Sequence, residues 1–304
     1  MSVAFIVNPT SGKGITTFNR FKQKLTISYR SYITGYQGHA TKIVKYLVKE
    51  EKVTLVIVVG GDGTIHEVLN GLDDEKMTLG VIKNGSGNDF SRYFKTFQDP
   101  KEIEHFMRQP KRTSVDMLKV KHGSFNRCMI NNGGIGFDAF VCEYVNQSKA
   151  KKHLNKLRLG KLVYPLFVCR AFKVFKPFSV TVTIDGEVTL YERVWFITVS
   201  NQPYFGGGMN IAPKAKATDR LLDITIVHGL DAKGVFKLFW QVYRGTHEKS
   251  PYVSQCQVHD MTVKLAERVV CHSDGETYYM NGHFPIHYSV SPQKLKLAET
   301  CQNK

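Results

Sequence analysis

The chain has 304 residues, with 42 Lys and Arg against 26 Asp and Glu, a formal net charge of +16. At 42% hydrophobic and 22% charged residues the composition excludes a disordered or fibrous protein, and no apolar run approaches the roughly 18 residues that a membrane-crossing helix needs. The length admits two domains, and the charge excess calls for a negatively charged partner: nucleic acid, an anionic membrane surface or a phosphorylated small molecule.

The start, Met1 to Val7, has no basic leader and turns polar at Asn8, so it reads as the first strand of a cytoplasmic protein and not as a signal peptide. Ala4 to Val7 and Val53 to Val59 are unbroken apolar runs, the pattern of strands covered on both faces in a parallel sheet. The second run ends in Gly60-Gly61-Asp62-Gly63-Thr64, after which Ile65, Val68, Leu69 and Leu72 fall at helical spacing. Leu79 to Ile82 is a further strand ending in Asn84-Gly85-Ser86-Gly87-Asn88-Asp89. Strand, glycine turn and helix make a βα unit, and two such loops on successive strands face one crevice.

From about Val115 a period-two alternation with tight turns replaces the βα rhythm. Ser179 to Ile184, an Asp185-Gly186 turn, Glu187 to Tyr191 and Val194 to Val199 read as a hairpin and a following strand. Leu222 to Val227, Met261 to Leu265 and Glu267 to Cys271 continue in kind, and Lys161 to Phe178 reads as helical in its middle, with Pro177 past its end. The expected architecture is an α/β nucleotide-binding domain over 1–117 and a mainly antiparallel β-sandwich over 118–304, the last residues packing back on the first domain. The six cysteines, Cys128, Cys142, Cys169, Cys256, Cys271 and Cys301, include no C-x-x-C pair and read as free thiols.

Glycines after a strand let backbone N–H groups approach a ligand, and the start of the following helix supplies a positive dipole end, a geometry that binds phosphate. The first loop, Asn8-Pro9-Thr10-Ser11-Gly12-Lys13-Gly14, contains Ser-Gly-Lys but not the Walker A spacing; phosphate cradle and ordinary βα turn both stay open. Asp62 between glycines suits proton transfer or Mg²⁺, against the alternative of a helix N-cap. Asn88-Asp89 at a second glycine loop tips the balance to chemistry. His66-Glu67-Val68-Leu69-Asn70 lacks the second histidine of a zinc helix. Gly134-Ile135-Gly136-Phe137-Asp138-Ala139 fits a loose G-x-G-x-x-A, but in the β-rich part, which makes a nicotinamide site a weak reading.

Taken together, Asn8 to Lys13, Gly38-His39-Ala40, GGDGTIHEVLNG over Gly60 to Gly71, NGSGNDFSR over Asn84 to Arg92, GGIGFDA over Gly133 to Ala139, GGGMNIAPKAK over Gly206 to Lys216 and Asp274-Gly275-Glu276 resemble the diacylglycerol kinase-like lipid kinases, the soluble bacterial type related to sphingosine and ceramide kinases. The resemblance runs nearly end to end. It implies a Rossmann-like first domain of the phosphofructokinase and NAD kinase kind, a β-sandwich behind it, and an active site in the cleft between them. ATP would contact Asn8, Pro9, Thr10, Ser11, Gly12, Thr34, Gly61, Asp62, Gly63, Thr64, Ile65, His66, Glu67 and Ser86. Mg²⁺ would fall on the carbonyls of Lys216 and Leu221 and the carboxylate of Asp219, with Asp62 and Asp89 joined through water. Ala217-Thr218-Asp219-Arg220 departs from the family's usual acidic pair followed by glycine, and the charge of Arg220 beside a cation weakens binding unless its side chain points away. Glu276 is the first candidate for the base that takes the lipid hydroxyl proton, Asp62 the second, with Asp274 orienting or binding metal; a bare hairpin turn is the bland account of Asp274-Gly275-Glu276.

Tyr144 to Ile184 contains no Asp or Glu, yet holds nine basic residues between Lys149 and Lys176, with aromatics interleaved. That pattern suits an anionic bilayer or, more plainly, a solvated face over an aromatic core; nucleic acid finds no recognised module. The expected protein is an ATP- and Mg²⁺-dependent lipid kinase giving phosphatidic acid or an analogue, peripheral at the inner membrane face. A NAD kinase-like enzyme and a non-catalytic nucleotide- or lipid-binding protein stay as alternatives, and a homodimer stays open.

Overall fold

The computed structural model describes residues 2–50, 53–72, 77–85, 87–147, 168 and 170–300. The first part alternates β1 (Val3–Val7), α1 (Gly14–Lys22), β2 (Arg30–Ile33), α2 (His39–Glu50), β3 (Leu55–Gly60), α3 (Asp62–Leu69) and β4 (Thr78–Lys83), followed by α4 (Phe90–Tyr93) and α5 (Pro100–Arg108). The strands pair in parallel in the order β2, β1, β3, β4. The unbroken apolar runs have a direct cause. Ala4, Ile6, Val56 and Val58 point to one core with Val44, Leu47 and Val68, while Phe5, Val7, Ile57 and Val59 point to the opposite core with Phe18, Phe21 and Phe106. Both faces of the sheet are covered, so no position along β1 or β3 can be polar.

The second part contains β5 (Arg112–His122), β6 (Phe125–Met129), β7 (Asn132–Gly136), α6 (Phe137–Gln147), β8 (Phe178–Ile184), β9 (Glu187–Ser200), β10 (Tyr204–Phe205), β11 (Met209–Asn210), β12 (Leu222–His228), α7 (Ala232–Arg244), β13 (Val253–Val258), β14 (Asp260–Leu265), β15 (Val269–Ser273), β16 (Glu276–Met280) and β17 (Ile286–Ala298). Their sandwich core gathers inward residues of β8, β9, β12, β14, β15 and β17. The strand β17 belongs to both parts. Its first half pairs antiparallel with β14, its end pairs in parallel with β4, and β5 follows it along its length, with a register shift between Val290 and Lys294. Accordingly Ile286 and Tyr288 sit in the sandwich core, whereas Leu295 and Leu297 sit in the core of the α/β part.

Three elements differ from the sequence expectation. Glu187 to Tyr191 and Val194 to Val199 are one strand, β9, carried through an irregularity at Arg193, whose φ is +51°. GGIGFDA does open a strand-to-helix unit, β7 into α6, but β7 is antiparallel to both neighbours, and a Cβ on Gly136 would lie 2.5 Å from the Trp195 carbonyl oxygen. Those glycines serve close packing of strand on strand, not a dinucleotide. The helix α7 was not foreseen, although Asp231 caps its start by accepting the Gly234 N–H at 2.8 Å and Gly245, with φ +64°, ends it.

Of the helix expected within 161–178, residues 168 and 170–174 are helical. The remainder of the basic window from 148 to 167, with Cys169 and Cys301, lies outside the described residues. Arg170, Lys173 and Lys176 are exposed while Ala171 and Phe172 are buried. Among the described residues no helix is long and apolar enough to cross a membrane.

Candidate active site

The order β2, β1, β3, β4 reverses direction between β1 and β3, and in open parallel sheets the crevice beyond the strand ends at such a reversal is where ligands bind. The loops after β1, β3 and β4 meet there. Asn8 donates from Nδ2 to Thr64 Oγ1 at 2.9 Å, and Ser11 and Asn84 exchange side chain to backbone hydrogen bonds. Gly61 and Gly85 come so close that a Cβ on Gly85 would lie 2.7 Å from the Gly61 Cα, a contact only glycine allows.

These loops enclose a cavity of about 490 Å³ lined by Asn8, Pro9, Thr10, Ser11, Thr34, Gly61, Gly63, Thr64 and Glu67, with Glu276 at its side. Gly35, Tyr36 and Gln37 line it too; the sequence reading passed over them, although they follow a strand end as the other loops do. Tyr36 lies flat on His39, ring centroids 4.6 Å apart at 6°, with Lys42 Nζ 5.2 Å from its ring centre. It is 56% exposed and offers an aromatic platform at the cavity mouth. Glu67 spends its carboxylate on the Gly38 and Ala40 N–H groups at 2.8 and 3.0 Å, capping α2.

Two residues expected to touch the nucleotide turn elsewhere. Ile65 is packed in the core with its N–H given to the Gly61 carbonyl. His66 is buried, its Nδ1 3.0 Å from Asp274 Oδ2 and its Nε2 beside Asn70. Gly12, with φ +56°, packs against Asn84. Ser86 lies outside the described residues.

Asp62 does not cap its own helix, because Gly61 holds that position. Its carboxylate instead accepts the Asp89 and Phe90 N–H groups at 3.2 and 3.0 Å, tying the second glycine loop to the first. Burial raises its carboxyl above the ordinary range, against the pull of those N–H groups. Asp89 accepts the Gly207 N–H at 3.0 Å on both oxygens and faces Arg92 Nε at 3.5 Å. Burial, reinforced by the charge of Asp62, pushes Asp89 to about 6. Two buried carboxyl groups, each shifted upward, form a place where a cation is welcome.

Asp274 and Gly275, with φ +48° and +88°, make a two-residue hairpin between β15 and β16, flanked by the Ser273–Glu276 pair. The turn is a hairpin and more. Asp274 accepts N–H groups of Ile130, Asn131 and Asn132 at 3.0, 2.9 and 3.1 Å and faces His66. With its oxygens committed to these donors, it orients the hairpin against α3 and has no position left for a metal. Glu276 crosses from the second part to the first: Oε2 accepts Gln37 Nε2 at 2.7 Å, and a Cβ on Gly63 would lie 3.1 Å from Oε1.

In the turn expected to hold metal, Asp219 Oδ1 accepts the Leu221 N–H at 3.1 Å, and the Asp219 N–H lies 3.5 Å from the Lys216 carbonyl oxygen. Arg220 has φ +66°, which explains why a glycine suits that place. Its N–H and guanidinium go to Asp116 at 2.8 and 3.3 Å and to the Ser291 carbonyl at 2.8 Å, so its side chain is turned to a buried acid that it shares with Lys294. Among the described residues no three His, Cys, Asp or Glu stand together as a metal cluster. A carboxylate with backbone carbonyls is an all-oxygen set that suits Mg²⁺, which keeps most of its water.

A second acid–histidine pair was missed by the sequence reading. His272 Nε2 lies 3.1 Å from Asp138 Oδ2, with the His272 ring stacked on Phe205. Asp138 stands at the edge of an apolar cavity of about 50 Å³ walled by Phe137, Phe205, Met209 and the inner face of α7.

Comparison with known proteins bears on this geometry. Residues 2–120 match the model of the diacylglycerol kinase catalytic domain, and residues 133–299 that of the YegS C-terminal NAD kinase beta sandwich-like domain. A Bacillus subtilis protein named "Putative lipid kinase YtlR" is 34% identical, the match covering 96% of this chain and 98% of that one. A diacylglycerol kinase of the same organism is 28% identical, over 89% and 88% of the two chains. A solved structure from Bacillus anthracis, described as that of a "putative diacylglycerol kinase", superposes with a TM-score of 0.74 at 26% identity, over 97% and 94% of the two chains.

Proposed function

The chain belongs to the diacylglycerol kinase family and is a lipid kinase, and on that premise we propose that it transfers the γ-phosphoryl group of ATP to the hydroxyl of diacylglycerol or a closely similar lipid, giving phosphatidic acid or its analogue, at the cytoplasmic membrane face. The observation that carries this reading is Glu276, brought from β16 across to Gln37 and Gly63 beside the crevice of the glycine loops. The hydroxyl lines of the cavity, Thr10, Ser11, Thr34 and Thr64, suit phosphate oxygens, and Tyr36 suits a base.

In that reaction the lipid oxygen attacks the γ-phosphorus as the bond to the β-phosphate oxygen breaks, and the hydroxyl proton passes to a carboxylate. Glu276 is the better base. Each oxygen of Asp62 is already turned to a backbone N–H of the second glycine loop, whereas Glu276 stands at the wall of the cleft. Asp62 and Asp89 then keep the glycine loops in register, and Mg²⁺, when bound at Lys216, Asp219 and Leu221, supplies neutralisation of phosphate charge. Glu276→Ala should reduce turnover by about 10²–10⁴-fold with the circular dichroism spectrum unchanged. Phosphate transfer from labelled ATP to lipids in vesicles is the measurement. Near-normal turnover removes Glu276 from the mechanism, and label found only on a soluble nucleotide replaces the lipid reading with a NAD kinase-like one.

A further inference from the structure

The helix α7 is apolar on the outside as well as the inside. Val235, Leu238 and Val242 are buried, yet Phe236, Trp240 and Tyr243 are 44%, 65% and 48% exposed. With successive residues turned by about 100°, Tyr243, Phe236 and Trp240 fall within about 60° of one another, and Lys233, Arg244 and Lys237 occupy the next about 60°. From Ala232 to Thr246 there is no Asp or Glu. The strip does not stop at the helix: Phe236 meets Phe172 edge to face at 6.0 Å, beside exposed Arg170, Lys173 and Val174. A row of exposed aromatics bordered by cations, without an acid, is complementary to an anionic lipid interface, where aromatic rings sit at the headgroup level and cations pair with phosphates.

The position of the helix strengthens the match. Its inner face walls the apolar cavity beside Asp138, and Gly245 at its end packs on Asn210, three residues after the Gly207 whose N–H Asp89 accepts. We propose that α7 is the docking face of this protein on an anionic bilayer, with Phe236, Trp240 and Tyr243 entering the headgroup region and Lys233, Lys237 and Arg244 lying against lipid phosphates. The purpose of docking rests on the lipid kinase reading; the docking itself can be tested apart from it. A lipid leaving the bilayer would then meet the apolar cavity and the phosphoryl-transfer site along one helix.

The chain contains two tryptophans, and Trp195 is 2% exposed, so a change of tryptophan emission on adding vesicles reports Trp240. With vesicles of phosphatidylglycerol and phosphatidylcholine, the emission of the whole protein should shift to the blue and be quenched by brominated acyl chains. Pure phosphatidylcholine should do neither. Lys233→Gln and Lys237→Gln should each weaken binding about fivefold. Phe236→Ala with Trp240→Ala should abolish binding, and turnover on vesicle-borne diacylglycerol should fall while turnover on a dispersed short-chain diacylglycerol is unchanged. Vesicle binding with unchanged Trp240 emission, or no binding at all, overturns the proposal. A blue shift that grows with protein concentration in the absence of vesicles overturns it in favour of a second copy of the chain. Trp240 burial on anionic vesicles without transfer to any lipid would keep the docking face and sink the kinase reading.

Discussion

Asp89 is a carboxylate that the fold holds away from water beside a second one. Its folded value of about 6 stands above the ordinary 3.8, so the folded state binds more protons than the unfolded one between about pH 4 and 6. Its contribution to stability therefore falls as pH rises through that window and is flat above it. Asp89→Asn keeps an oxygen for the Gly207 N–H and removes the buried charge. The variant should be more stable at pH 7.5 by about 1–3 kcal/mol, lose part of the fall between pH 4 and 6, and be less active; urea titrations across that range are the check. Asp274 predicts the reverse. It satisfies three backbone N–H groups and His66 at once, and Asp274→Ala leaves them buried without a partner, at a cost of about 3–5 kcal/mol. At this scale the sequence singled out the acids, because Asp62, Asp89, Asp274 and Glu276 all stand in or beside glycine turns. It did not reveal their division of labour. Whether an acid faces a cleft or a row of N–H groups depends on segments more than a hundred residues away, as Ile130 to Asn132 are from Asp274.

Among the elements, the glycine loops depend on approach distances that a single methyl group would violate. Gly85→Ala would place a Cβ 2.7 Å from the Gly61 Cα and must push the loops after β3 and β4 apart. It should raise the Kd for ATP about tenfold or more while costing about 1–3 kcal/mol of stability, measured by nucleotide titration and by unfolding. β1, β3 and β4 were legible because strands buried on both faces leave unbroken apolar runs. The single strand β9 was read as two, since its first half is exposed and its polar residues break the alternation. The helix α7 falls outside the sequence expectation although Val235, Leu238 and Val242 alternate at helical spacing with Lys233, Lys237 and Arg244. Its cap residues, Asp231 and Gly245, were the signal to use.

Over the whole molecule, one sheet runs from the sandwich into the α/β part through β17. The two parts should unfold together in one transition by calorimetry and by denaturant, and two separated transitions would contradict the shared strand. Ending the chain after Pro292 removes Leu295 and Leu297 from the α/β core and should cost about 3–6 kcal/mol, read as a loss of urea midpoint. That the last residues return to the first part could be expected from the chain; that a single strand serves two cores could not, because the shift between Val290 and Lys294 leaves no mark in hydrophobic pattern.

The shared strand also sets an order of events during synthesis. The edge of β4 that β17 will cover is made early, and its partner is made last. At roughly 5–20 residues per second, the roughly 215 residues separating the end of β4 from the end of β17 keep that edge uncovered on the ribosome for about ten to forty seconds. For that interval the nascent chain carries an unpaired, apolar strand edge of the kind that seeds aggregation, and its yield in a cell depends on what shields β4 until Leu297 emerges.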